Sequence, residues 1–305
     1  MTDPDSRTGL VALPRCGAPC SLVRVQGGRY SPPRPEPFGR TQSFAVASPP
    51  TVEILVATMN RREPPSQALP AAASFLYVNQ CTDIEPPDVI DEGPVRMHSF
   101  AERGLSRSRN RAIALSRAEL LVLADDDVEH PAEMVERVRR GFDAHPRASV
   151  VTFQFLDAAS GEPVKSYRRD SFVHDRRSVG SVSSIEIGLR RERLAGLRFD
   201  ERLGLGSGLP TGEEFIFLMD ALRAGHVLGY WPEPICSHPG VGGGHRDWDA
   251  FMVRAKGAVL RRGYPLAWPL AIAYFALTKR SRYGRAMGPA AFLYHATRGA
   301  RVISP

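Results

Sequence analysis

Apolar residues fall into short unbroken runs that alternate with stretches of helical spacing, starting near residue 51. Residues 52–57 and 75–78 read as the first two buried strands. The run 120–124 is continuously apolar and is closed by Asp125, Asp126 and Asp127, which suits a parallel strand covered on both faces. Between the first two strands, where a helix is expected, the chain is instead a Pro-rich loop. Residues 106–117 predict a helix with Ser106 or Ser108 as its cap. Pro131 suits a first helical turn, and Met134, Val138 and Phe142 follow it at every fourth position. Residues 149–155 and 181–189 read as further strands. Phe215, Leu218, Met219 and Leu222 stand at i, i+3, i+4 and i+7, so 213–224 reads as a helix that Gly225 stops, before a strand at 227–230. Strands alternating with helices imply an α/β sheet with right-handed crossovers.

Three regions follow from this pattern: a disordered Pro/Arg-rich tail over residues 1–50, an α/β domain over 51–245, and amphipathic helices rich in Arg and aromatics over 246–305. With 305 residues, 43% hydrophobic and 24% charged, the chain has ample core for one large domain. Forty Lys and Arg against 33 Asp and Glu leave a modest +7, which favours phosphate-bearing ligands or anionic surfaces and does not single out nucleic acid. The four cysteines show no paired CxxC spacing, which argues against zinc and against a disulfide scaffold. The opening residues lack the features of a signal peptide, and no uncharged apolar run is long enough to span a bilayer, so a cytoplasmic protein is expected.

The chemistry lies at the end of the 120–124 strand, because ligands of open α/β sheets bind beyond the carboxyl ends of strands. Three adjacent carboxylates repel one another and call for a cation; Mg²⁺ or Mn²⁺ prefers carboxylates together with substrate phosphates. One carboxylate can hold the ion while another accepts a hydrogen bond from a ribose hydroxyl. The competing reading is a solvated acidic turn that caps the following helix. The D-x-D-x-D-G spacing of a helix-loop-helix calcium site is missing.

Residues 104–113 (GLSRSRNRAI) followed by 120–128 (LLVLADDDV) resemble the central block of family 2 glycosyltransferases, and the strand ending Ala57-Thr58-Met59-Asn60-Arg61 resembles that family's first strand. The likeness extends over about residues 51–240. It implies an α/β fold of the GT-A type, a Rossmann-like mixed sheet flanked by helices, here with a C-terminal helical extension. It implies a nucleotide-sugar donor, with Thr58, Asn60, Arg61, Arg109 and Asn110 around the nucleotide. Asp125 then faces the ribose side with Asp126 beside it, and Asp127 ligates the metal. The family's usual Asp-Asp-Gly-Ser turn after the second strand is replaced by 79–83 (NQCTD), where Gln80 could pair with a base through its amide; uridine is the default the resemblance implies.

Sugar transfer also needs a group to take the acceptor's proton. Residues 194–218 are similar to the family's acceptor region, where the second acidic residue of a Glu-Asp pair is the usual base. Glu214 takes that place here, with Glu213 beside it on the acceptor side. Thr211 to Glu214 is also a Thr-x-x-Glu capping-box sequence, so an ordinary helix start competes with the catalytic reading. His238 stands where a GT-A histidine often approaches the metal or the diphosphate, and the Gly-rich run 240–244 could close over the phosphates. The resemblance implies that one displacement inverts the anomeric centre. The apolar, aromatic segment from 264 followed by Lys279, Arg280, Arg282 and Arg285 suits either peripheral membrane contact over 264–285 or packing on the core. The acceptor is expected to be a glycan or a lipid-linked glycan. Two other functions compete. A nucleotidyltransferase making activated sugars would carry a Gly-rich basic loop where residues 60–65 (NRREPP) stand; a non-catalytic glycan binder would have no need of Asp125, Asp127 and Glu214.

Overall fold

The computed structural model describes residues 48–65, 68–239 and 248–303. The tail reading for residues 1–50 falls almost wholly, and that for the Gly-rich run 240–244 entirely, outside the described residues. Nine strands among the described residues form one mixed sheet: β1 (Val52–Met59), β2 (Ala73–Gln80), β3 (Ile90–Glu92), β4 (Val95–Phe100), β5 (Leu120–Asp125), β6 (Ala148–Asp157), β7 (Phe172–Val173), β8 (Ile187–Arg190) and β9 (Val227–His238), in the order β3-β4-β2-β1-β5-β8-β6-β9-β7. β4, β2, β1 and β5 run parallel, so their carboxyl ends lie along one edge. β8 is antiparallel to both β5 and β6, which makes the sheet mixed.

Alternation along the strands sorts side chains between two layers. Ile54, Val56, Val122 and Ala124 pack with Met134, Val135, Val138 and Phe142 of α2 (Met134–Ala144). Leu55, Leu121 and Leu123 point the other way, onto Ala112 of α1 (Leu105–Leu115) and Phe217, Leu218 and Ala221 of α3 (Glu213–Arg223). Burial on both faces explains why β5 is uniformly apolar.

Three elements differ from their sequence expectations. The hairpin β3–β4 lacks a strand-like apolar signature because Arg96, inside β4, is buried against Glu53 of β1 at 2.7 Å. The ion pair satisfies what would otherwise be an unpaired charge in the core. Residues 181–189 are only partly strand: a 3-10 turn at Ser184–Glu186, closed by a capping box from Ser183, precedes β8. β9 runs on through Pro232 and Pro234, where its pairing with β6 shifts register and so tolerates residues that cannot donate.

The C-terminal segment is helical as expected: α4 (Ala250–Gly263), α5 (Trp268–Thr278), α6 (Arg280–Tyr283) and α7 (Pro289–Ala300). Its own core gathers Val253, Leu260, Ile272, Tyr283, Phe292 and Ala296. A second cluster, Ala258 and Val259 with Leu203 and Ile216, welds α4 to α3. These helices therefore belong to the same compact unit as the sheet, residues 48–305.

Candidate active site

β5 ends at Asp125 and the chain turns, so the next two aspartates fan out from one strand tip. Each finds a partner on a different element. Asp125 Oδ1 accepts from Arg109 Nη2 of α1 at 3.2 Å. Asp126 Oδ2 accepts from Thr58 Oγ1, at the end of β1, at 2.6 Å, with Arg61 Nη2 at 3.4 Å. Asp127 Oδ2 lies 3.2 Å from His238 Nε2 at the end of β9. The mutual repulsion of the three carboxylates is thus divided among two guanidinium groups, a hydroxyl and an imidazole.

Arg109 is the internal strut of this site. Its guanidinium is buried and its second amino group donates to Glu213 Oε1 at 3.0 Å, joining α1, β5 and α3. Phe199 lies under the guanidinium, 5.7 Å from the ring centre, and stacks on Phe217. Arg109, expected around the nucleotide, is buried, unlike its exposed neighbour Arg107, and its two amino groups go to Asp125 and Glu213.

Three further residues expected at ligands turn inward. Asn110 donates to Phe199 O and to Glu201 Oε1, both at 3.0 Å, and accepts from Phe199 N at 2.8 Å; this clamps the segment before α3 and leaves no amide proton for a nucleotide. Glu213, expected on the acceptor side, is buried with its carboxylate on Arg109. Gln80 is also buried: its Oε1 accepts the Gly104 N–H at 2.6 Å and ties β2 to the start of α1, leaving only its amide nitrogen for a base.

Asn60 closes the first strand in the left-handed region, with φ 53°, which asparagine tolerates better than most residues. Its Oδ1 accepts from Thr82 N and Asp83 N, and its Nδ2 donates to Asp83 Oδ2 at 2.7 Å. Asp83 thus orients Asn60. Arg61 is half-exposed at the rim, where an anionic ligand can reach it.

Glu214 opens α3 immediately beside Glu213. The capping box expected from Thr211 does not form: the N-cap is Gly212, at φ 78°, and no side chain caps the helix. Thr211 Oγ1 instead accepts from Lys256 Nζ of α4 at 2.6 Å. Burial, and then the charge of Glu213, push the Glu214 carboxyl up to about 8; Lys256 and Arg109 act in the opposite direction. Burial also lowers the Lys256 ammonium, against the pull of Glu214 and Glu213. Lys256 was not legible as a site residue in the sequence, because it lies 42 positions beyond Glu214, in a separate helical region, and no local motif marks it.

For a divalent cation the candidate donors are Asp127 and His238. Among the described residues no three His, Cys, Asp or Glu side chains converge as a cage. A carboxylate and an imidazole that approach within 3.2 Å nevertheless fit an ion that takes its remaining ligands from phosphate and water.

Comparison with known proteins bears on the fold and on the family of its central span. Residues 78–221 match the model of Glycosyl transferase family 2. The structure of S. aureus TarS 1–349 in complex with UDP superposes with a TM-score of 0.50 at 12% identity, covering 76% of this chain and 73% of that one. A second structure of S. aureus TarS 1–349 gives 0.48 at 12% identity, covering 83% and 82%. No curated protein matches the chain in sequence. At such identities the likeness is one of fold. The strand-end aspartates, the α1–α3 strut and the acidic start of α3 lie on or within the span 78–221 that matches Glycosyl transferase family 2, and the fold is of the GT-A type.

Proposed function

We propose that the protein transfers a sugar from a nucleoside diphosphate sugar, with uridine as the base, to a hydroxyl of a glycan or lipid-linked acceptor by a single inverting displacement. The observation that carries this reading is the division of labour at the β5 tip: three consecutive carboxylates held apart by partners from β1, α1 and β9, with Glu214 at the head of α3. The UDP in the TarS complex supports uridine as the donor's base.

Thr58 and Arg109 orient Asp126 and Asp125 toward the nucleoside, and Arg61 stands at the rim for its phosphates. Asp127 and His238 would hold Mg²⁺ or Mn²⁺, which when bound offsets charge on the departing diphosphate. Glu214 takes the proton of the acceptor hydroxyl. As that oxygen bonds to the anomeric carbon, the bond from the same carbon to the diphosphate oxygen breaks, and the nucleoside diphosphate leaves with the bonding pair. The half-buried setting of Glu214 raises its basicity toward the range that suits a general base near neutral pH.

The test is release of nucleoside diphosphate by the purified full-length protein, with Mn²⁺, from a panel of UDP-, GDP- and TDP-sugars, with and without oligosaccharide acceptors. Turnover of a UDP-sugar is expected. Folded protein that neither binds nor turns over any donor in the panel would sink the proposal.

A further inference from the structure

The C-terminal helices carry a surface that the transferase reading does not use. Leu266, Leu270 and Leu277 are 97%, 75% and 82% exposed, and Tyr274 is 60% exposed. With Ala273 they stand at i, i+4, i+7, i+8 and i+11, which places them on one face of α5 and the turn leading into it. The opposite face, with Ile272 and Ala276, packs into the helical core. Most of the apolar surface of α5 therefore points outward, an arrangement that marks a contact surface. Leu293 and Tyr294 of the adjoining α7 are exposed as well.

Charge decides what such a surface meets. From residue 250 to residue 305 the chain has ten Lys and Arg and no Asp or Glu. The rest has 30 basic against 33 acidic side chains, so the whole excess positive charge resides in this segment. Lys279, Arg280 and Arg285 are exposed directly beyond the apolar face. Two copies of this face would bring like charges together, which disfavours self-association. A surface both anionic and apolar beneath is complementary to it.

We propose that α5 and the basic turn behind it dock the protein on an anionic phospholipid surface. α5 lies in the interface with Leu270, Tyr274 and Leu277 among the acyl chains, and Lys279 and Arg280 at the phosphates. At 11 residues, about 16 Å by the helical rise, it is far short of the about 30 Å hydrocarbon core. Among the described residues no helix is long and apolar enough to cross a membrane. This docking is independent of which sugar, if any, the site transfers.

Co-sedimentation of the full-length protein with vesicles of phosphatidylcholine alone, and of an equimolar mixture with phosphatidylglycerol, tests it. The expected result is binding at least about tenfold tighter to the mixed vesicles, weakened by salt. Leu270→Asp with Leu277→Asp, and separately Lys279→Glu with Arg280→Glu, should each lower that binding about tenfold or more. Both pairs should leave the melting temperature and UDP binding unchanged. Tyr274→Ser serves as a milder apolar variant should a double variant misfold. Failure of the wild type to prefer anionic vesicles overturns the proposal, as does undiminished binding by the folded α5 variants. So does a dimer, seen by light scattering, that Leu270→Asp with Leu277→Asp converts to monomer without altering vesicle binding, which would assign the face to a second copy.

Discussion

Arg109 donates to Glu213 at 3.0 Å with both side chains almost wholly buried, so a helix before the acidic strand end and a helix after it are joined by one ion pair beneath the site. Breaking such a pair from one side leaves a buried charge alone. Arg109→Ala should destabilise the fold by about 3–5 kcal/mol in chemical denaturation, and Arg109→Ala combined with Glu213→Gln should recover part of that loss. If the double variant is no more stable than the single one, the pair is not the source of the cost.

The Asp127–His238 pair should separate metal dependence from nucleotide binding. Asp127→Asn and His238→Ala are expected to abolish the enhancement of UDP affinity by Mn²⁺ in titration calorimetry while leaving the metal-free affinity within about threefold; neither side chain carries the core. Equal stimulation by Mn²⁺ in wild type and both variants would remove these residues from the metal site.

Glu214→Gln should keep UDP-sugar binding and lower transfer by about 10²–10⁴-fold, the usual contribution of a general base. The wild-type rate, kcat/KM, should rise with pH through the region of 8, because the base works only when deprotonated. A pH profile for transfer that is flat from 6 to 9 would place the base elsewhere.

The same carboxyl has a stability signature. Its folded pKa is raised, so its contribution is fully present below its unfolded value, near 4.5, and is lost as pH rises through about 8. Glu214→Gln cannot ionise. Its melting temperature should therefore gain on the wild type as pH is raised from 5 to 9, the reverse of what loss of a helix cap would do.

Close approach of α4 and α7 rests on two glycines. A Cβ on Gly257 would stand 1.9 Å from Ala296 O, and one on Gly299 would stand 1.9 Å from Arg254 O. Gly257→Ala must push the helices apart, at a cost of about 1–3 kcal/mol or more in thermal unfolding. Because α4 also supplies Lys256 beside Glu214, the pH profile of transfer should shift with it.

The parallel strands β1, β2 and β5, the helices α1, α2 and α3, and the acidic strand tip were legible in sequence, because each is a local pattern: a run, a period or a punctuating residue. The hairpin β3–β4 was not, since Arg96 looks like a surface residue until Glu53, 43 positions away, is seen to neutralise it. The same limit applies inside the site. Sequence alone determined that Asp125, Asp126 and Asp127 end a buried strand and that Glu213 and Glu214 begin a helix. It did not assign Asp126 a partner, divide Glu213 from Glu214, or turn Asn110 inward. Those distinctions depend on which group meets a carboxylate across 65 or more positions of chain, and on how deeply packing buries it. Burial makes Glu213 an ion-pair partner of Arg109 and leaves its neighbour, one residue later, with the raised basicity a catalytic base requires. Only the tertiary structure decides that, because the energy of a charge is set by its surroundings and not by its place in the sequence.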